Sequence, residues 1–247
     1  MALQWLARMR AAHVRPTLLS HNSVLDSFAT LGRAREAAAW LDNLARDSLQ
    51  PDVFSFTALL KGYARAASDR GRRRDGAASH ERSPDGMDSD GFISEALRLL
   101  HEVMPEHRIA PTEVSFTTVM GMCAQRGDAR TAAELLSEMR SQRLTPDAHA
   151  YTALVSAHAR AGSVEGALEV LRRMVGAGVA PTVVTWTTAI AACDRARPRR
   201  PEAAEQIFQR MVESKVTPNQ VTHSVLARVT GGSRRHYADK LGLGSQR

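Results

Sequence analysis

The sequence contains few cysteines, few aromatic residues and no long apolar run. Its 247 residues include only Cys123 and Cys193, and since no Cys-x-x-Cys pair is present, neither a disulfide framework nor a zinc site is indicated. We expect both cysteines to be small buried apolar residues. No apolar segment approaches the ~20 residues that a membrane-spanning helix needs. Aromatic residues make up 5% of the chain whereas alanine is abundant, and this balance favours closely packed helices.

The spacing of the polar residues does not match the common catalytic motifs. A zinc deaminase requires His-x-Glu and a distant Cys-x-x-Cys, and the chain has neither. His101 and Glu102 resemble the start of a metalloprotease helix, but the next histidine, His107, comes two residues too late for that motif. The sequence therefore predicts a protein that is not an enzyme and that needs no cofactor, metal or small-molecule substrate.

The formal net charge is +7, and the excess of positive charge lies outside residues 68–91. That segment contains five arginines and six acidic residues, a net charge of −1, which leaves +8 for the rest of the chain. A basic surface favours a polyanionic partner, although solubility alone can also account for such a charge.

Prolines recur along the chain at a nearly constant spacing. Six of them form this series: Pro16, Pro51, Pro111, Pro146, Pro181 and Pro218. The gaps are 35, 60, 35, 35 and 37 residues, so the period is 35, with 25 extra residues in the second gap and two in the last. A fixed period in this range is typical of a solenoid of stacked structural units.

Each unit has the apolar pattern of two helices. In residues 113–147, apolar side chains of the first half recur at i, i+3, i+4 and i+7, and Gly127 separates them from a second helical pattern that ends before Pro146. An aromatic or histidine side chain recurs in every first helix: His21, Phe56, Phe116, Tyr151, Trp186 and His223. An alanine recurs in the second helices: Ala37, Ala96, Ala132, Ala167 and Ala204. We expect both series to form the core between paired helices.

The period divides the chain into repeats. Residues 1–17 form a half-repeat with a second helix only; the full repeats are 18–52, 53–112, 113–147, 148–182 and 183–219; and residues 220–247 form a partial repeat with a flexible tail. The second repeat carries an insertion, at about 68–91, whose Gly, Ser, Asp and Arg composition predicts disorder. The basic first 15 residues are similar to a mitochondrial presequence. Their apolar residues are nevertheless in phase with the second helices, which favours a repeat and suggests a fragment of a longer array.

These repeats resemble the pentatricopeptide repeat, a helical hairpin of 35 residues. The segments TPDAHAYTALVSAHARAGSVEGALEVLRRMVGAGVAPT and APTVVTWTTAIAAC are close to that pattern, and the match extends from residue 1 to about 230. The 34-residue tetratricopeptide repeat would place Trp-x-x-Leu-Gly in the first helix, which is not found here. The resemblance implies an all-α, right-handed α-solenoid that binds single-stranded RNA, one base per repeat. It also implies RNA processing, stability or translation in a chloroplast or mitochondrion, with other RNA-processing proteins as further partners.

The resemblance also implies which residues read the bases. One reader follows the first-helix aromatic residue, and the other follows the closing proline of the repeat. The pairs are Asn22 with Asp52, Thr57 with Thr112, Thr117 with Asp147, Thr152 with Thr182, and Thr187 with Asn219. Ser224 stands at the first reader position of the partial repeat. Helix capping is an alternative role for the residues after proline. By the family's recognition rule, the array reads U-x-G-x-A, with no assignment for the second and fourth pairs.

Two further sets of residues follow from the resemblance. The residue two positions before the aromatic flanks the base, and these residues are Leu19, Phe54, Val114, His149, Val184 and Val221. Arginines that recur late in the first helices are expected to meet phosphates: Arg65, Arg160 and Arg195. Two other functions remain open from the residues alone, a scaffold for protein–protein interaction and the specificity arm of a larger RNA-processing enzyme.

Overall fold

The computed structural model describes residues 2–74 and 88–231, and within these ranges the regular structure is entirely helical. The described chain forms two compact units, with the boundary after Met122. The helices of the first unit are α1 (Ala2–Ala11), α2 (Leu18–Thr30), α3 (Ala34–Arg46), α4 (Val53–Arg74), α5 (Ser89–Arg98), a π-helical segment (Leu99–Val103) and α6 (Met104–Glu106). Helix α7 (Glu113–Arg126) contains the boundary, and the second unit continues with α8 (Ala129–Ser141), α9 (Ala148–Arg160), α10 (Val164–Gly176), α11 (Val183–Arg195), α12 (Pro201–Glu213) and α13 (Gln220–Thr230).

The fold is all-α, with paired helices that stack on the next pair within each unit, as the 35-residue period predicted. In the first unit, α2 packs against α3 and α4, and α4 packs against α5. In the second unit, α9 packs against α10 and α11, and α11 packs against α12 and α13. Each of these first helices therefore contacts its own partner helix, and α2, α9 and α11 also contact the first helix of the following repeat.

The two series expected from the sequence lie in the core of the hairpins, except that His223 is only half-buried. Phe56, Phe116 and Tyr151 are completely buried, and Trp186 is 5% exposed. Every alanine of the second-helix series has an exposed fraction of 0%, which allows close approach of the paired helices. Cys123 and Cys193 are also buried, and this burial raises the thiol pKa values to about 12 and about 11. Both cysteines therefore behave as small apolar residues, as expected.

The residue after each closing proline begins a first helix by capping it. The side chains of Asp147 and Asn219 accept hydrogen bonds from the amides of Ala150 and Thr222, both at 2.9 Å. Thr182 forms a reciprocal capping box with Thr185. These side chains satisfy amide groups that lack a partner in the first turn of a helix. Helix capping, the alternative role expected for these residues, is therefore observed in the structure.

The structure differs from the sequence-based prediction at both ends of the insertion. Helix α4 continues to Arg74, so residues 68–74 are helical, and Ser68 donates its hydroxyl proton to the carbonyl of Ala64 at 2.8 Å. At the other end, Asp88 accepts a hydrogen bond from the amide of Gly91 at 2.8 Å and caps α5. The composition of the insertion predicted disorder, but where a helix begins and ends depends on capping and on propagation from the preceding turn. Both depend on the order of neighbouring residues, which composition does not contain. Residues 75–87 lie outside the described residues.

The second helices end in the same turn, with one residue in the left-handed conformation. These residues are His13, Ser48, Arg108, Arg143, Gly178 and Lys215, with φ between 55° and 76°. The following residue donates its amide to a carbonyl five residues earlier, as Leu144 does to Met139 at 2.9 Å. This is the Schellman arrangement, in which glycine is normally preferred because it lacks a Cβ.

Two substitutions at left-handed turn residues of the second unit should change the free energy of unfolding in opposite directions. Arg143→Gly should raise the free energy of unfolding by about 0.5–1 kcal/mol, because it removes strain at φ 61°. Gly178→Ala should lower it by a similar amount, because φ is 76° and a Cβ at this position would meet no other group within 4 Å, so strain acts alone. Urea unfolding followed by circular dichroism measures both, and a decrease for both variants would contradict the strain argument.

Candidate nucleic-acid interface

The first helices carry a periodic set of exposed apolar side chains in their first turns. Leu19 is 77% exposed, Phe54 74%, Val114 52%, Val184 63% and Val221 59%. The side chain of His149, at the same phase, is 79% exposed. These are the predicted base-flanking residues, and none of them contributes to the core. Apolar side chains that recur in solvent at a fixed period indicate a binding surface in each unit.

In the first unit, two flanking residues and two readers line one cleft. The cleft has a volume of about 320 Å³ and lies between α2 and α4, with Leu19 and Phe54 among its walls and Asn22 and Thr57 also facing it. A volume near 300 Å³ is at the lower end of the range for small-ligand sites. Asp26 and Lys61 also line this cleft, and neither of these charges was predicted to have a role.

The predicted readers of the first repeat are in direct contact. The amide nitrogen Nδ2 of Asn22 donates to Oδ1 of Asp52 at 3.1 Å. Ser55 donates its hydroxyl proton to Oδ1 of Asn22 at 2.6 Å, and its backbone amide donates to Oδ1 of Asp52 at 2.9 Å. The structure thus brings together two residues that are 30 positions apart in the sequence.

These contacts also set the ionisation of Asp52. Burial by itself raises the pKa of the carboxyl group, but hydrogen bonds from the Ser55 amide and hydroxyl and from Asn22 outweigh it and hold the pKa below the usual value. Asp52 is therefore an ionised acceptor at neutral pH. A carboxylate beside an amide can accept from the imino group of a base while the amide donates to a carbonyl.

In the second unit, a threonine hydroxyl joins each of two predicted reader pairs. Oγ1 of Thr185 lies 2.7 Å from Oγ1 of Thr152 and 3.0 Å from Oγ1 of Thr182. One repeat further on, Oγ1 of Thr222 lies 2.7 Å from Oγ1 of Thr187 and 3.0 Å from Oδ1 of Asn219. These joining residues were not predicted from the sequence. The signal that could have found them is the hydroxyl residue that precedes most first-helix aromatic residues.

The reader hydroxyls share one orientation. Each donates its proton to the backbone carbonyl four residues earlier in the same helix. The bonds are Thr57 to Val53 at 2.7 Å, Thr117 to Glu113 at 2.6 Å, Thr152 to Ala148 at 2.6 Å, Thr187 to Val183 at 2.7 Å and Ser224 to Gln220 at 2.7 Å. Because a hydroxyl has one proton and two lone pairs, these side chains present acceptors rather than donors.

Two further predicted readers, Thr112 and Asp147, have polar neighbours of their own. Thr112 contacts Ser115, with 3.1 Å between the two hydroxyl oxygens. Thr117 belongs to the first compact unit and Asp147 to the second. Asp147 is exposed and lies 3.9 Å from the ring of His149.

The predicted phosphate-contacting arginines are exposed in the later turns of first helices. Nε of Arg65 lies 3.6 Å from the carboxylate of Asp69, and its side chain is 55% exposed. In the second unit, the turn glycine Gly162 approaches Arg195 so closely that a Cβ at the glycine would lie 3.1 Å from the carbonyl oxygen of the arginine. The hairpin turn of one repeat thus supports the arginine of the next, a contact that the sequence did not predict.

The described part of the chain offers neither a metal centre nor a membrane span. Residues 2–74 and 88–231 contain no group of three or more His, Cys, Asp or Glu side chains arranged to hold a metal ion. No described helix combines the length and apolar character required to cross a bilayer.

Comparison with known sequences identifies related proteins. A family model described as "Pentatricopeptide repeat-containing protein" matches residues 113–231. A chloroplastic pentatricopeptide repeat-containing protein of Arabidopsis thaliana is 30% identical over 134 residues, which is 51% of this chain. The chain spans only 16% of the length of that relative.

Comparison with solved structures identifies the same fold. The pentatricopeptide repeat protein PPR10 from maize is 26% identical, with a TM-score of 0.54, over 98% of this chain and 36% of that one. The PPR domain of A. thaliana protein-only RNase P 1, crystallised in complex with tRNA, has a TM-score of 0.60 at 17% identity over 85% of this chain and 96% of that one. Nuclear proteinaceous RNase P 2 from A. thaliana has a TM-score of 0.65 at 16% identity and covers 89% of this chain and 43% of that one.

Proposed function

Because a pentatricopeptide repeat family model matches residues 113–231 and the fold is that of pentatricopeptide repeat structures, we propose that the chain binds single-stranded RNA, with one base held by each repeat. The observation that carries this proposal is the periodic surface of the first helices. Exposed apolar side chains such as Phe54 stand beside polar readers such as Asn22 at one phase of the repeat. In the proposed complex, the apolar side chains stack on the bases, and the polar readers distinguish one base from another by hydrogen bonding.

The reader contacts support the proposed base preferences. Asn22 and Asp52 together present an amide and an ionised carboxylate, which suits the alternating acceptor and donor groups of uracil. Thr187 with Asn219 is assigned to adenine and Thr117 with Asp147 to guanine. The proposed readout is therefore U-x-G-x-A, from the N-terminal to the C-terminal repeat along RNA 5′ to 3′.

The biological setting is a finer part of the proposal. The chloroplastic location of the A. thaliana relative favours a role in organellar RNA processing, stability or translation. Binding alone can perform such a role, because RNA held extended is protected from nucleases and cannot form base-paired structure. Three assigned bases are too few to select one transcript, so the proposal includes action alongside other RNA-binding repeats or RNA-processing proteins.

Retention of short random RNA tests the proposal directly. The 247-residue chain is mixed with a pool of single-stranded RNA that is randomised over eight positions, and bound RNA is sequenced. We expect enrichment of U, G and A at alternate positions, in that order from 5′ to 3′, with no preference at the two positions between them. A scaffold for protein–protein interaction would retain no RNA, and that result would contradict the proposal.

The arginines predict a change in the salt dependence of binding. The triple variant Arg65→Gln, Arg160→Gln and Arg195→Gln should flatten the plot of log K against log salt by about 2, because each phosphate contact on a single strand contributes about 0.7 to the slope. Fluorescence anisotropy at a series of salt concentrations measures it. As a control, Arg130→Gln removes an arginine whose side chain is 90% exposed on a second helix, and its slope should equal that of the wild type. Equal slopes for all three proteins would contradict the phosphate contacts.

A further inference from the structure

A buried hydroxyl from the following repeat links the two predicted base-reading residues of a pair. It belongs to the residue just before the first-helix aromatic residue, and Ser55, Thr185 and Thr222 are all 0% exposed. We propose that this hydroxyl is a positioning group, which fixes the direction in which the readers donate and accept hydrogen bonds. The inference rests on the proposed RNA-binding function and assigns residues that do not themselves touch the base.

Ser55, at the start of the second repeat, fixes the orientation of the Asn22 amide in the first repeat. Its hydroxyl has one proton and two acceptors within reach, Oδ1 of Asn22 at 2.6 Å and Oδ1 of Asp52 at 3.0 Å, and the shorter contact identifies Asn22 as the recipient. Nδ2 of Asn22 then faces the Asp52 carboxylate. An inverted amide would place its oxygen against that carboxylate, two acceptors in contact. Asn22 is thereby left with one N–H and one lone pair for a base.

In the second unit, the same position fixes two threonine readers. The proton of Thr152 is donated to the carbonyl of Ala148, so the 2.7 Å contact with Thr185 requires Thr185 to donate. The proton of Thr187 is likewise donated to Val183. The hydroxyl of Thr222 has two acceptors within reach, Oγ1 of Thr187 at 2.7 Å and Oδ1 of Asn219 at 3.0 Å, and the shorter contact identifies Thr187 as the recipient. Each reader oxygen then has a single lone pair remaining, which can accept a hydrogen bond from an N–H group of a base.

Helix capping does not explain these contacts. Ser20 forms the same capping box, with Thr17, but its other contact is the sulfur of Met9, at 3.9 Å, rather than a base reader. In another repeat the position is Ala150, which has no hydroxyl, and α9 is still capped by Asp147. The start of a first helix therefore does not need this hydroxyl. The link to the reader of the preceding repeat recurs in three places, which indicates a separate role.

The first experiment requires no RNA. The chain has three asparagines, Asn22, Asn43 and Asn219, so selective ¹⁵N labelling yields three resolvable side-chain amides. In wild-type protein, Asn22 should exchange its side-chain hydrogens more slowly than Asn43. Ser55→Ala should increase the Asn22 exchange rate by about fivefold, which corresponds to the loss of one hydrogen bond. Ser55→Thr should restore it, and the matched variant Ser20→Ala should leave it unchanged.

The second experiment measures base discrimination by the full chain. RNA selected by the wild-type protein is synthesised with each of the four bases opposite the first repeat. Ser55→Ala should reduce discrimination at that position by about fivefold and leave discrimination at the other positions intact. A purely structural effect would weaken binding to all four RNAs equally, and Ser20→Ala should show at most that effect.

The outcomes separate the two proposals. If wild-type protein retains no RNA, the proposed function is wrong, and the exchange experiment still decides whether Ser55 positions Asn22. If wild-type protein selects RNA but Ser55→Ala keeps both its discrimination and its Asn22 exchange rate, the positioning role is wrong.

Discussion

The double substitution Thr187→Asn with Asn219→Asp should change the preferred base of the fifth repeat from adenine to uracil. It recreates the pair that Asn22 and Asp52 form in the first repeat. The buried hydroxyl of Thr222 is already positioned to donate to residue 187, as Ser55 donates to Asn22. Aspartate at 219 also preserves the cap of α13, because Asp147 caps α9 in the same way.

The expected reversal is at least about tenfold in relative affinity. A well-formed hydrogen-bonded pair provides about 1–3 kcal/mol of discrimination between bases, and about 1.4 kcal/mol corresponds to a factor of ten. Competition between RNAs that differ only at this position measures the ratio. The reciprocal variant, Asn22→Thr with Asp52→Asn, should shift the first repeat towards adenine. An unchanged order of bases in both variants would contradict the assignment of these residues as readers.

Truncation of two phenylalanines on α4 should change the free energy of unfolding by very different amounts. Phe56 is 0% exposed and its ring lies 5.5 Å from that of His107, whereas Phe54 is 74% exposed. Phe56→Ala should lower the free energy of unfolding by about 3–5 kcal/mol, because it leaves a cavity in the core. Phe54→Ala should change that free energy by less than about 0.5 kcal/mol.

RNA binding should show the complementary result. Phe54→Ala should weaken binding by about tenfold, because stacking of one base on an aromatic ring contributes about 1–3 kcal/mol. Phe54→Tyr retains an aromatic face and serves as the control, with binding close to that of the wild type. Chemical unfolding and anisotropy on the same samples separate stability from affinity. Full affinity in Phe54→Ala would show that this side chain does not flank a base.

Much of the arrangement follows from local periodicity. The burial of Phe56 and Tyr151 agrees with the apolar pattern, because which face of a helix packs depends on residues only three or four positions apart. Phe54 and Leu19, which the family resemblance placed beside the bases, are exposed. The ends of the insertion were less predictable. Helix α4 continues to Arg74 through residues whose composition indicates a loop, since composition does not register how far an existing helix propagates.

The polar contacts between repeats could not be predicted from sequence alone. Ser55 is 33 residues from Asn22, and Thr222 is 35 from Thr187, so their contact depends on how closely one repeat stacks on the next. A pattern of residue types also cannot show where a hydroxyl proton points, which decides whether Thr152 offers a donor or an acceptor.

The amino-acid sequence by itself determined the period, the helical hairpins and the residues that each helix buries, because these properties arise from short-range spacing. Only the tertiary structure decided which readers meet, which hydroxyl joins them and in which direction their hydrogen bonds run. Those features require two distant segments to lie within about 3 Å of each other, a distance set by packing between neighbouring repeats.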